Sequence, residues 1–586
     1  MFSNDILINV MRPGRYVGNE WNSAKKNFSK IKLSFCLCFP EVYEIGMSHL
    51  GIRILYDILN SKRDMLCERA FCLWPDYKEV LINNSSELCS LESRVPLRKF
   101  DILGFSINNE LNYTNILSML SLAGIPFMSK DRKDGFPLII GGGNCTLNPE
   151  PIAEFFDLFV VGEAEEVISK IAKVCKAHKK KYTNLYSQKE ELLINLCQIQ
   201  GVYVPEFYHV EYNKDMTVKE FSVLKKGAPR AIRKAYVKDI NKALGCRNWI
   251  VPNIEIIHDR IGIEIMRGCM HGCRFCQARN YSFPFRLRSP RKILSLAKKF
   301  YKISGYEQIS LLSLSSSDHP QIKEIVKLLM EHFKKHAVSI SLPSIRAKSV
   351  VGDISNLFSL QKKTGFTFAP EAGTEKLRTI INKNIKIDEL FQVAIDAYKS
   401  GYRRLKLYFM IGLPREEYSD LDAIFDLAYR LSQKRREVCG KAAEINLSIA
   451  NFIPKPHTPF QWLGMEKIGT LLEKQKYLRN IVGKESRTLK LNFHDIYMSN
   501  LEMALSRGSR KLSKVILTAF ENGAQFDQWK EYFNFNIWRN SFEENGLNLE
   551  EYTTQTFGLD KTLIWDFIDT GISKQYLIDE CQKALT

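Results

Sequence analysis

Long apolar runs are missing from this chain of 586 residues, although 45% of it is apolar. Nothing approaches the ~20 consecutive apolar residues of a membrane-spanning helix, so no membrane partner is expected. The opening MFSNDILINVMRPGRY has no charged segment followed by a long apolar one. A secretory signal is therefore not expected, and the protein is expected in the cytoplasm. Repeats and low-complexity tails are absent too, which leaves ordinary globular domains, more than one at this length. With no secretory signal, the fourteen cysteines argue for thiols or metal ligands, not for a disulfide framework.

Negative charge is in short supply: the net charge is +19. A nucleic-acid or other polyanionic partner would explain it. Lysines that simply solvate the surface, as in KAHKKKY (176–182), explain it better, because the excess is spread along the chain.

Most cysteines stand alone: Cys67, Cys72, Cys89, Cys145, Cys175, Cys197, Cys246, Cys439 and Cys581. The default for each is a small buried hydrophobe. Cys36 and Cys38 alternate with Phe35, Leu37 and Phe39 in IKLSFCLCF (31–39), which reads as a strand. Further strands are expected at 101–105, 137–140 and 157–161, with helices near 48–60, 112–123 and 163–175. This alternation implies an α/β, doubly wound (Rossmann-like) domain over residues 1–205. Residues 206–258 read as a connector.

The alternation then resumes, with strands expected near 261–266, 308–314, 338–342, 365–369, 404–411 and 444–452. Six strand–helix units fit a partial (β/α)6 TIM barrel over 259–480, whose chemistry would sit at the strand C-terminal ends. Its first helix is well marked: Ser289 as N-cap, Pro290 in the first turn and Gly305 as stop. Residues 481–586, aromatic-rich in FDQWKEYFNFNIWRNSF (526–542), read as a small, mainly helical C-terminal domain.

One cysteine set is clustered. In IEIMRGCMHGCRFCQAR (263–279), Cys269, Cys273 and Cys276 follow the first barrel strand and offer three thiolates to one metal centre. A 4Fe–4S cube ordinarily takes four cysteines. Three leave one iron open, and the amino and carboxylate groups of S-adenosylmethionine (SAM) can fill it. An electron from such a cluster breaks the sulfonium bond and releases a 5′-deoxyadenosyl radical, chemistry the cofactors supply and the protein positions. The competing reading is a structural zinc with His271 as fourth ligand; the spacing is cramped and there is no second CxxC arm.

Cys269–Cys276, with Phe275 before the last cysteine, resembles the signature of the radical SAM superfamily. Further pieces resemble a group in that superfamily with a cobalamin-binding-like domain ahead of the core: YEIGMSHLGIRILYDILN (43–60), NPEPIAEFFDLFVVGEAEEV (148–167), SLSSSD (313–318), FAPEAGTEKLR (368–378), KLYFMIGLPRE (406–416) and FIPKPHTPFQW (452–462). The resemblance implies SAM contacts at Phe275, Ser316, Asp318, Arg346, Glu371, Met410 and Gly412. Where relatives carry Gly-Gly-Glu for the methionine amine, this chain has Ser315-Ser316-Ser317-Asp318. Asp318 as the N-cap of the next helix is the alternative. Arg346 would pair with the SAM carboxylate, or simply with a surface acid. Met410 and Gly412 match the region that cradles adenine, and His457 could line the substrate cavity.

Cobalamin is left open. The usual Asp-x-His-x-x-Gly appears here as Met47-Ser48-His49-Leu50-Gly51, without the aspartate that would fix the histidine's tautomer. Gly141-Gly142-Gly143 suits close approach of a nucleotide tail, or a plain turn.

The expected function is thus that of a radical SAM enzyme, catalysing methyl transfer or RNA or protein modification on an undetermined substrate. A low-potential electron donor of flavodoxin or ferredoxin type is implied. Methylthiotransferase chemistry is disfavoured, since Cys36, Cys38, Cys67, Cys72 and Cys89 make no second cluster motif. The alternative from another class is a non-catalytic iron–sulfur or zinc protein that binds RNA or regulates.

Overall fold

The computed structural model describes residues 7–133, 135–243, 248–343, 366–483, 485 and 487–586. Its first block is a six-stranded sheet in the order β2–β1–β3–β4–β5–β6. The strands are β1 (Leu33–Phe39), β2 (Met65–Phe71), β3 (Ile102–Ser106), β4 (Leu138–Gly142), β5 (Leu158–Val160) and β6 (Val202–Tyr203). All neighbours run parallel except β5 and β6. The helices Leu50–Asn60 and Val167–Lys181 pack on this sheet. Every residue of β1 is buried, as befits a central parallel strand covered on both faces, and β2 is equally buried although it is the edge strand. The alternation in LSFCLCF therefore separates two buried faces, not a buried one from a wet one.

The sequence leads to β1, β3, β4 and β5 but not to β2, because Glu68 and Arg69 interrupt the apolar run of MLCERAF. Folding resolves that conflict. Arg69 reaches Glu20 at 2.9 Å and Glu92 at 2.7 Å, so its buried charge is paired from distant segments.

The connector holds the hairpin of β7 (Tyr208–Tyr212) and β8 (Val218–Val223), and β9 (Ile232–Arg233), which pairs with β19 (Ile568–Asp569) near the C-terminus. Past it, β10 (Ile261–Glu264), β13 (Gln308–Leu312) and β14 (Ser339–Ser341) form a three-stranded parallel sheet. A four-stranded parallel sheet follows: β15 (Phe366–Glu371), β16 (Arg404–Ile411), β17 (Glu444–Asn451) and β18 (Leu489–Phe493). The helix Pro290–Ser304 is capped as its sequence requires: Ser289 Oγ accepts the Lys292 amide and Gly305 ends it at φ 72°. Residues 344–365 lie outside the described residues, and Arg346 with them.

Two expectations about the C-terminal part are corrected. β18 extends the core sheet into residues assigned to the C-terminal domain, and the helix Ile468–Gly483 runs through the boundary set at 480. LKLNF alternates apolar with polar residues, as an edge strand does, and is too short to stand out. The helices between 496 and 544 pack on the first sheet: Leu501, Val515, Trp538 and Phe542 are buried in one cluster with Phe35 and Leu103.

Candidate functional site

β10 ends at Glu264, and β11 (Met266–Arg267) pairs antiparallel with β12 (Arg286–Leu287), closing the segment between them into a loop. Gly268 starts that loop at φ 83°, where a Cβ would lie 2.9 Å from the Phe285 Cα; glycine alone fits. Cys273 is buried, and Cys269 and Cys276 are half-buried. Burial pushes the Cys276 thiol up, and the neighbouring Cys273 and Cys269 add to the effect. Among the described residues, no three His, Cys, Asp or Glu side chains converge on a single-ion site. His271 instead turns its Nε2 to Asp318 at 2.6 Å. The zinc alternative gains nothing from this geometry.

The loop is held from three directions. On the N-terminal domain side, Arg267 bridges Glu163 and Glu165, each at 2.8 Å, and also Glu264; Arg286 meets Glu163 at 2.6 Å. Burial opposes the charge of Glu163, yet the two guanidinium groups hold its carboxyl below the ordinary range. From the connector, Lys234 donates to the carbonyls of Asn280, Tyr281 and Phe283 at 2.6, 2.9 and 2.8 Å, capping the short helix Gln277–Tyr281 behind Cys276. From the C-terminus, Glu580 accepts from Arg274 Nε at 3.0 Å. Sequence reading missed all three. GEAEE (162–166) was visible only as part of a resemblance, and nothing local marks Lys234 or Glu580.

The residues implicated in SAM contact are only partly gathered. Phe275 and Met410 meet in one apolar cluster with Leu413, Phe452 and Phe460. Asp318 joins the cysteine loop through His271 and accepts from Ser315 Oγ at 2.5 Å; it does not cap the helix Ile322–Phe333. Ser316 is fully buried, its hydroxyl shared between Ser313 Oγ (2.8 Å) and the Leu311 carbonyl (3.1 Å). Glu371 ends β15 at φ 69° and meets Lys383 at 3.2 Å; the neighbouring Asn382 donates to the Gly272 carbonyl of the cysteine loop at 3.0 Å. Gly412 has φ 82°, and its amide donates to Glu416 Oε2 at 2.7 Å. His457 is buried, with Nε2 donating to the Leu147 carbonyl at 3.0 Å, and burial brings it down to about 4. It is a neutral strut between the core and the first domain.

A cleft of about 290 Å³ opens beside the cysteine loop. It lies at the C-terminal ends of β1, β3, β4 and β5, where strand order reverses and ligands of open α/β sheets bind. Leu37, Gly104, Gly142 and His49 line it from the first domain, and Arg267 and Tyr281 from the core. A Cβ on Gly142 would meet nothing nearer than the Val160 carbonyl at 4.0 Å, so a side chain there would enter open space. His49 Nδ1 is buried without a hydrogen-bond partner, and burial lowers the ring to about 4. An orphaned buried N–H costs more than an orphaned lone pair, so the proton belongs on Nε2.

Residues 51–205 match the family model described as radical SAM proteins, N-terminal, and residues 263–428 match that of the radical SAM superfamily. An uncharacterised protein of Methanocaldococcus jannaschii is 26% identical over 497 residues, covering 83% of this chain and 91% of its own. Among solved structures, the radical S-adenosylmethionine methyltransferase TsrM of Kitasatospora setae, with tryptophan and a SAM analogue bound, is similar over 71% of this chain and 72% of that one. Its identity is 11% and the TM-score 0.43. A second structure of TsrM, with cobalamin and a 4Fe–4S cluster, gives 12% and 0.44 over the same shares. That likeness is too distant to carry any residue's role across.

Proposed function

Because the chain belongs to the radical SAM superfamily, we propose that it holds a 4Fe–4S cluster on Cys269, Cys273 and Cys276 and cleaves SAM reductively. The observation that carries this reading is that all three cysteines sit on one short loop closed at the end of the first core strand. Their chemistry fits a cluster: three soft donors, mostly withdrawn from water, with the one nearby imidazole engaged elsewhere. When bound, the cluster supplies the electron that splits the sulfonium bond and frees a 5′-deoxyadenosyl radical. The chain's own part is placement. Phe275 and Met410 offer apolar surface for the adenine, with Gly412 at the strand end beside them. Asp318 and Glu371 offer carboxylates for the methionine amine, Ser316 shapes the turn that carries Asp318, and Arg346 is assigned the SAM carboxylate.

The electron would come from a low-potential donor of flavodoxin or ferredoxin type, and the setting would be the cytoplasm. Methyl transfer and the modification of RNA or protein both fall within the proposal. The +19 charge is what favours a nucleic-acid substrate.

Cobalamin fits the cleft in one respect and not in another. Gly142 leaves the end of β4 bare, which suits a flat group lying on the backbone. His49 lacks the acceptor on Nδ1 that ordinarily orients a ligating histidine. No step here runs through cobalamin.

The test is anaerobic reconstitution with iron and sulfide, then dithionite and SAM, with 5′-deoxyadenosine followed by chromatography. The nucleoside is expected from the wild type and not from the triple cysteine-to-alanine variant. A reducible cluster that neither binds SAM by calorimetry nor yields the nucleoside would favour the non-catalytic iron–sulfur alternative.

A further inference from the structure

The C-terminal helix Lys574–Leu585 lies against the cysteine loop, about three hundred residues away in sequence. Arg274, next to Cys273, is the meeting point. Its amide donates to the Ile381 carbonyl at 3.0 Å, and its Nη1 donates to the carbonyls of Thr379 and Ile380 at 3.0 and 2.8 Å. Its remaining charge is met by Glu580, and both side chains are about nine-tenths buried. One turn earlier, Tyr576 lies under the Arg279 guanidinium at 5.6 Å, and its hydroxyl is the second-nearest atom to a Cβ built on Gly272, at 3.6 Å. One turn later, Ala584 joins the apolar cluster of Phe275 and Met410. Tyr576, Glu580 and Ala584 recur every four residues, so a single stripe of the helix faces the loop. Leu577 and Cys581 form another stripe, buried with Trp462 and Trp565.

We propose that Glu580 is a positioning residue for the iron–sulfur site: through Arg274 it fixes the cysteine loop, and the helix carrying it packs against that loop. This rests on the cluster assignment above but makes its own claim about the loop. Arg274 could satisfy its backbone contacts without Glu580. What Glu580 adds is a buried counter-charge, without which the guanidinium would swing toward solvent and take the backbone of Cys273 with it.

The full-length wild type and the Glu580→Ala and Glu580→Gln variants are compared in two states. In the apo-proteins, amide exchange is followed by mass spectrometry over 269–281, with 102–106 of the first sheet as internal reference. Loss of one charge-assisted buried hydrogen bond predicts exchange about tenfold faster in the loop of Glu580→Ala, with the reference segment unchanged. Glu580→Gln, which keeps an acceptor, is expected to fall in between. In the reconstituted proteins, iron release to a chelator should accelerate in the same order, and the electron paramagnetic resonance lines of the reduced cluster should broaden. Loop exchange equal to wild type, or exchange raised equally in the reference segment, would overturn the proposal. A wild type that takes up no cluster would sink the functional reading alone, since apo-state exchange still decides the role of Glu580.

Discussion

The two sets of parallel strand ends in this molecule are finished in opposite ways. One of those of the first sheet is left bare: Gly142, at the end of β4, faces a cleft where a side chain would enter open space. Those of the core are crowded. The loop after β10 carries three cysteines and is tied down by Arg267, Lys234 and Arg274 to three other parts of the chain. Bare ends suit a ligand that must touch backbone. Crowded, cross-braced ends suit side chains that must be held still around a reactive centre. One region thus offers open backbone and the other a braced loop.

Breaking the crowded side should have the largest effect. Cys273→Ala is expected to abolish cluster uptake, read as iron and sulfide per chain after reconstitution, with far-UV circular dichroism unchanged because the loop lies outside the sheet core. Retention of a full cluster signal would sink the assignment. Arg267→Met comes next. It strands Glu165 and half of Glu163 without a counter-charge, and removing one partner of a buried pair typically costs about 3–5 kcal/mol. Urea unfolding should show a loss near the lower figure, because Arg286 still covers Glu163. An unchanged midpoint would mean that the interdomain brace does not hold the two regions together.

A smaller effect tests the strut between the regions. His457 ionises at about 4 when folded against an ordinary 6.5, so between those values the unfolded chain binds the extra proton. Its contribution is present above about 6.5 and is lost as pH falls toward 4, amounting to about 2 kcal/mol by pH 5. The wild type should lose that much more stability than His457→Asn between about pH 7.5 and about pH 5. Parallel losses would remove His457 from the account.

The smallest effect on stability should come from the bare side. Gly142→Val places its side chain in open space and should change stability by less than about 1 kcal/mol. The same change should abolish whatever cobalamin binding the wild type shows in an absorbance titration. Equal binding by both would move the ligand out of the cleft.

Legibility in the sequence followed how local each signal is. The cap Ser289-Pro290, the stop at Gly305 and the apolar strands of both blocks are written in adjacent residues, and the structure has them. MLCERAF was not legible, because Arg69 looks like a surface residue until Glu20 and Glu92 arrive. Gly412 reads as a cradle, yet its amide is already taken by Glu416. His457 reads as a loop histidine and turns out to be a buried strut.

By itself the sequence determined that Cys269, Cys273 and Cys276 share one short loop, since their spacing needs no distant partner. Only the tertiary structure decided what holds that loop. Glu163, Lys234 and Glu580 come from three remote segments, and the C-terminal helices share their core with the first sheet. The reason is physical. Ligand spacing is a property of neighbouring residues, whereas the pairing of buried charge depends on which surfaces the fold brings together.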